Sequence, residues 1–490
     1  MTNFTDSFYF YHCTGTEDPK ERASLDIKAP DILRVKPAEK FILFSPLRTL
    51  FAVIKILETL SPRTLHDHHL KTALVGRAIS QEIFKGPGAS YLEQKVIKAC
   101  FLHYLGFFLN MGGDMTNSDI ETNNNLPGEL LRMTWEGGQG GIAKIIRDGF
   151  ITGSMFCKTI QDSSLAELSP VIYCCAYSWD ELENMKMRGN KNILFPALVE
   201  PDMVAASIVA VSSRVALYHT MLGNSLDLKH QVLDDIKECQ KKNIVMPLVA
   251  DSAIKMLSRR RDIWLDLDYP ERWETDILLE VDFVRHYSMS DVYNFFFVLT
   301  DIIESRSPFT KDHTIGVTCA AQALAASAGV SEIEIQKLKL ASIMHDVGKI
   351  AVPSKILHKQ GKLSPEEWKK IQEHVYLPYL IMKGVLPAEL QSILTTAALH
   401  HERLDGSGYP WGLKHESIPL EARILQIADV FSALLEQRPY KAPLSFDDTT
   451  CIIRQEIEEG KLWAGIKMPD LENAFDSLQT VFPHLRVYPY

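Results

Sequence analysis

The sequence predicts an all-α protein built from two helical bundles in tandem. Apolar side chains recur at spacings of three and four along most of the 490 residues. Runs of strictly alternating polarity are almost absent, and one short string centred on histidine occurs twice. A hydrophobic content of 46% with 23% charged residues is enough for more than one core.

Residues 1 to about 38 are polar and punctuated by proline, and read as loops or short edges. From Phe41 the helical pattern runs through FILFSPLRTLFAVIKILETL, HHLKTALVGRAISQEIF and SYLEQKVIKACFLHYLGFFL, with Gly86-Pro87-Gly88 as a turn. Asp114 to Gly141 reads as an irregular loop, and Ile142 to Glu200 carries no clear period. Helical spacing resumes over Met203 to Tyr218, Leu226 to Gln240 and Pro247 to Leu257. Arg259-Arg260-Arg261 then reads as a solvated helix end favoured by the macrodipole. WLDLDYPERWE follows as a linker, which divides the chain into residues 1–280 and 281–490.

The second half is the more regular. Helices are predicted over Asp291 to Ser305, His313 to Ala328, Ser331 to Met344, Pro365 to Val375, Pro387 to His400, Pro419 to Leu435, Phe446 to Glu459 and Pro469 to Phe482. Ser331 with Glu334, and Ser364-Pro365-Glu366-Glu367, have the composition of capped helix starts. Between the halves, Ala99 to Met111 aligns with Ala341 to Pro353, so His103 falls on His345, Tyr104 on Asp346 and Phe107 on Lys349. His68 falls on His313, and Val245 to Leu257 resembles Lys467 to Leu478. A duplicated domain is the expectation, its first copy non-catalytic, with Ser212 where Asp429 would be needed.

A formal net charge of −10 argues against a general nucleic-acid binder, which neutralises phosphates with a basic face. The eight cysteines lack zinc-finger spacing and read as reduced thiols in a cytoplasmic protein. MTNFTDSFYFYHC lacks the basic and apolar regions of a secretory signal, and charges interrupt Phe41 to Leu60 and Val281 to Ile303, so no membrane span is expected.

His313, His345, Asp346, His374, His400, His401 and Asp429 lie near the ends of successive predicted helices. Such positions converge on one pocket in a bundle, and imidazole with carboxylate is a metal-site composition. The adjacent His345-Asp346 gives one metal a neutral imidazole and lets the carboxylate bridge to a second.

HDVGK (His345 to Lys349), EHVYL around His374, HHERLDGSGYPWG from His400 and ADVFSALLEQRPYK from Ala428 together resemble the HD-GYP family of cyclic-dinucleotide phosphodiesterases, a branch of the HD superfamily. The resemblance covers about residues 290 to 480 and implies two HD-type bundles, the first degenerate. It also implies two divalent cations, iron or manganese. Asp346 would bridge them; His313, His345 and Asp429 would complete one shell, and His374, His400 and His401 the other. Phe309, where some members carry a glutamate for a third metal, keeps the expectation at two. Lys349 would act on a substrate phosphate as a catalytic group beside Asp346, with Tyr409, Gly408, Arg438 and Lys441 binding the dinucleotide. Arg403 and Asp405 would brace the loop.

The implied activity is hydrolysis of cyclic di-GMP or 3',3'-cyclic GMP-AMP to the linear dinucleotide, without DNA or membrane as partner and with a homodimer left open. Ser432, where many members carry Asp, leaves the base preference between those two substrates. The rival readings are a mononucleotide phosphohydrolase of the wider superfamily and a catalytically silent scaffold.

Overall fold

The computed structural model describes residues 41–60, 66–111, 142–160, 162–187, 199–223, 225, 227–281, 284–304, 313–436, 442–462 and 468–485. Two compact units divide at Val284 and Arg285, and the described residues Phe41–Phe44 belong with the second.

In the first unit α1 (Pro46–Leu60), α2 (His68–Ile83), α3 (Ala89–Leu102) and α4 (Leu105–Met111) precede α5 (Ile142–Thr159), α6 (Ser163–Ala166), α7 (Ser169–Cys174) and α8 (Trp179–Met187). α9 (Glu200–Leu222), α10 (Leu228–Lys241), α11 (Pro247–Arg259), α12 (Asp262–Asp266) and α13 (Glu274–Val281) complete it. The described part of the stretch without a clear period is therefore largely helical. Its irregularity has a packing cause: a Cβ on Gly106 of α4 would lie 2.0 Å from the Gly149 carbonyl and 2.2 Å from the Gly153 nitrogen of α5. Glycines that weaken helix propensity let two backbones touch here. Among the described residues α9 alone is long and apolar enough to cross a membrane, and 89% of that window is buried in the protein.

Two expectations change. WLDLDYPERWE is not an open linker but runs through α12, a 3₁₀ turn at Pro270–Trp273 and the start of α13. Phe41–Phe44 is strand β1, antiparallel to β2 (Arg285–Ser288) in the second unit. A four-residue apolar run suits either state, and here the edge-on contacts of Phe44 with Phe295 and Tyr287 decide it.

The second unit continues through α14 (Met289–Glu304), α15 (His313–Ser327), α16 (Glu332–Met344), α17 (Ser354–Leu357), α18 (Pro365–Met382), α19 (Ala388–Ala398), α20 (Leu420–Leu435), α21 (Phe446–Glu458) and α22 (Met468–Leu485). Ser331 caps α16, and Ser364 with Glu367 closes a full capping box on α18. The all-α class holds, with β1 and β2 as the only strands among the described residues. Phe296, Leu299, Val317, Leu324, Leu340, Ile424 and Phe431, each fully buried, fill the core between these helices.

Candidate metal centre

α16 ends at Met344, so HDVGK leaves the helix through a turn at His345-Asp346 and enters a 3₁₀ turn over Val347–Ala351. Lys349 lies on this 3₁₀ turn and reaches Asp346 by a direct ion pair. Gly348 explains how His374 joins them. A Cβ there would lie 1.8 Å from the His374 carbonyl, so only glycine lets α18 approach this closely.

Two groups of ligand atoms result, each within 4.8 Å of one another: His313, His345 and Asp346, and His374, His400 and His401. Asp346 faces both. Its Oδ2 lies 3.1 Å from His345 Nε2 and 3.5 Å from His313 Nε2, and its Oδ1 lies 3.4 Å from His374 Nε2. Asp429 on α20 sits 3.1 Å from His313 Nε2 and 3.9 Å from His401 Nδ1.

The donor set suits cations. His345, His374 and His400 donate Nδ1–H to the carbonyls of Ser342, Ile371 and Ala397, which fixes each Nε2 as the lone-pair nitrogen. Those three Nε2 atoms are buried and make no hydrogen bond among the described residues. Inward lone pairs with no proton donor are what a bound metal would satisfy. Burial, reinforced by His345, lowers the His400 pKa to about 3, and burial with His400 holds His401 well below its usual value. Burial alone would raise Asp346 and Asp429, but their neighbours hold both well below the usual carboxylate range: His345 and Lys349 lower the first, His313 the second. Burial opposes charge on His313 too, yet Glu436 and Asp429 raise it to about 10. Two neutral imidazoles and two carboxylates are therefore poised for divalent ions.

The loop after the paired histidines is braced chiefly by Glu402, a residue to which sequence reasoning gave no role. Fully buried, its carboxylate accepts Trp411 N–H at 2.7 Å and Leu413 N–H at 2.8 Å. Asp405 accepts from Ser407, and Arg403 pairs with Glu456 at 3.3 Å. Gly408 serves packing, since a Cβ would meet the Arg403 nitrogen at 2.2 Å. The Tyr409 ring lies 4.8 Å from that of His401 and edge-on, at 5.8 Å, to the exposed Trp368. Ser432 is buried and donates to Glu436, whose carboxylate lies against His313. Arg438, Lys441 and Phe309 lie outside the described residues.

The first unit has a related but altered arrangement. His103 Nδ1 donates to the Cys100 carbonyl at 2.7 Å, as His345 does to Ser342. His68 Nε2 lies 3.4 Å from His103 Nε2, and Ser213 Oγ is 3.2 and 3.3 Å from the two. The expected Ser212 is not the residue opposite them. Its hydroxyl donates to the Ile208 carbonyl inside α9, and the next residue, some 100° round the helix, faces the imidazoles. The Tyr104 ring stacks on His68 at 5.2 Å, and Gly149 meets Gly106 as His374 meets Gly348.

Comparison with known proteins agrees with this geometry. The HD domain family model matches residues 297–461, so that stretch of the chain is similar to an HD domain. The loop from His400 to Pro410 falls inside that match. The 3'3'-cGAMP-specific phosphodiesterase 1 of Vibrio cholerae is 31% identical over 289 residues, 58% of this chain and 64% of its own. Phosphodiesterase 2 of that name and organism is 41% identical over 182 residues, 37% of this chain and 33% of its own. A cyclic di-GMP phosphodiesterase of Thermotoga maritima is 36% identical over 184 residues, 37% of this chain and 48% of its own. The chain thus spans less than two thirds of each relative's length.

Proposed function

We propose that the chain is a metal-dependent phosphodiesterase that opens a 3',5'-cyclic dinucleotide to its linear form. The observation that carries the proposal is the junction at Asp346, whose two oxygens face two separate groups of imidazoles. His313, His345 and Asp429 would hold one divalent ion, His374, His400 and His401 the other, with Asp346 common to both. Bound there, such a pair supplies charge that stabilises the phosphoryl transition state and lowers the pKa of water.

The protein's own groups orient the reaction. Lys349, ion-paired with Asp346, would hold a phosphate oxygen of the substrate as a point charge. Tyr409, kept protonated by burial, presents a hydroxyl and a ring face at the site's rim. Glu402 holds the loop that carries it, and Arg438 and Lys441 would add cationic contacts to the phosphates. The first unit, with Tyr104, Gly149 and Ser213 at the positions that would match Asp346, His374 and Asp429, is the non-catalytic partner of a duplicated pair.

The named relatives favour 3'3'-cGAMP and cyclic di-GMP as substrates, and a cytoplasmic enzyme acting on a soluble messenger is the setting that fits. The test is hydrolysis by manganese- or iron-loaded protein of 3'3'-cGAMP, cyclic di-GMP and nucleoside triphosphates. Linear dinucleotide from either of the first two is expected. Turnover of triphosphates alone would replace this reading with that of a mononucleotide phosphohydrolase.

A further inference from the structure

The imidazoles around Asp346 are not all held alike from behind. His345, His374 and His400 each lean on a backbone carbonyl three residues earlier. His313 is the first residue of α15, and its Nδ1 instead lies 3.0 and 3.1 Å from the two carboxylate oxygens of Glu436. Glu436 directly follows α20, the helix that also carries Asp429, whose Oδ1 lies 3.1 Å from Nε2 on the opposite edge of the same ring. Ser432, one turn before Glu436 and buried, donates its hydroxyl to Glu436 Oε1 at 2.7 Å. One segment of chain therefore grips both edges of this imidazole, and a serine steadies the outer grip.

We propose that Glu436 is the positioning residue for His313, supplying from residue 436 a carboxylate that this chain lacks at residue 432. Accepting Nδ1–H fixes the tautomer, aims the Nε2 lone pair between His345, Asp346 and Asp429, and raises the basicity of the ring as a ligand. The proposal rests on the reading of His313 as a metal ligand. Ser432 marks how close the two carboxylate positions are. An aspartate there would extend one bond further, towards the place that Glu436 Oε1 occupies. The pair Ser432 and Glu436 is then an alternative solution to one with a carboxylate at 432.

The test uses the full chain with Glu436→Ala, Glu436→Gln and the double variant Ser432→Asp/Glu436→Ala. Manganese affinity is read by competition with a chromogenic chelator. Glu436→Ala is expected to weaken one of the two sites by roughly 10–100-fold and spare the other, as loss of an outer carboxylate on a ligating histidine does. The near-isosteric Glu436→Gln should lose less, and Ser432→Asp should restore most of the loss. A merely structural role for Glu436 would not be rescued by a carboxylate at 432. Histidine ¹⁵N shifts of the metal-free protein give an independent reading, with the His313 Nδ1 signal moving in Glu436→Ala and the other imidazoles unmoved. Wild-type affinity at both sites in Glu436→Ala, or an unchanged His313 signal, would overturn the proposal. A wild-type chain that binds no manganese would instead remove the metal-dependent reading, while the ¹⁵N shifts still decide whether Glu436 holds His313.

Discussion

Asp346 is the residue that faces both groups of imidazoles, and its burial makes it costly unless cations surround it. Asp346→Ala is expected to take the protein from about two bound ions per chain to almost none, with turnover falling by on the order of 10³-fold or more. Elemental analysis and a hydrolysis assay on the same sample check this, with Asp405→Ala as a control that removes only the bonds to Ser407. Retained metal in Asp346→Ala would mean that the cations sit elsewhere. At this scale the proposed ligands were legible in the sequence because metal chemistry admits few side chains and their spacing follows the helix ends. Glu436 was not, since a carboxylate four residues beyond Ser432 looks like an ordinary surface charge until His313 is seen against it. Ser213 was missed by one position, because alignment of two apolar helices leaves the rotation of α9 open by a residue.

Among the elements, the approach of α18 to the 3₁₀ turn depends on a missing side chain. Gly348→Ala would drive a methyl into the His374 carbonyl, where only 1.8 Å is free. The expected cost is about 1–3 kcal/mol from overpacking, and His374 would move away from Asp346. Thermal unfolding and metal stoichiometry should fall together. A stable variant with full metal content would show that α18 accommodates the methyl without carrying His374 off. The helices of the second unit were legible because caps and period agree, as Ser331 and Ser364 do at the starts of α16 and α18. α5 was not, since Gly149 and Gly153 serve contact with α4 rather than helix propensity. β1 was hidden for the opposite reason, being too short for its period to differ from that of a helix.

For the molecule as a whole, the two units answer differently to protons and to metal. In the first, burial with the nearby His69 lowers the His103 pKa to about 3, and burial with His103 keeps His68 well below its usual value. The unfolded chain binds these protons below about pH 6.5 and the folded one does not. This contribution to stability is therefore complete above about pH 6.5 and is lost as pH falls towards 3, by on the order of 1.4 kcal/mol per pH unit for each imidazole. Denaturant unfolding at pH 7 and pH 5 should show a shallower decline for His103→Asn than for wild type. Parallel declines would mean that these imidazoles titrate freely in the folded state.

The second unit carries the central claim, that Asp346 joins two cation sites. Anomalous diffraction from manganese-soaked crystals tests it most directly. Two peaks are predicted, one among His313, His345 and Asp429, the other among His374, His400 and His401, with Asp346 reaching both. A single peak away from Asp346, or none at these side chains, would contradict the account.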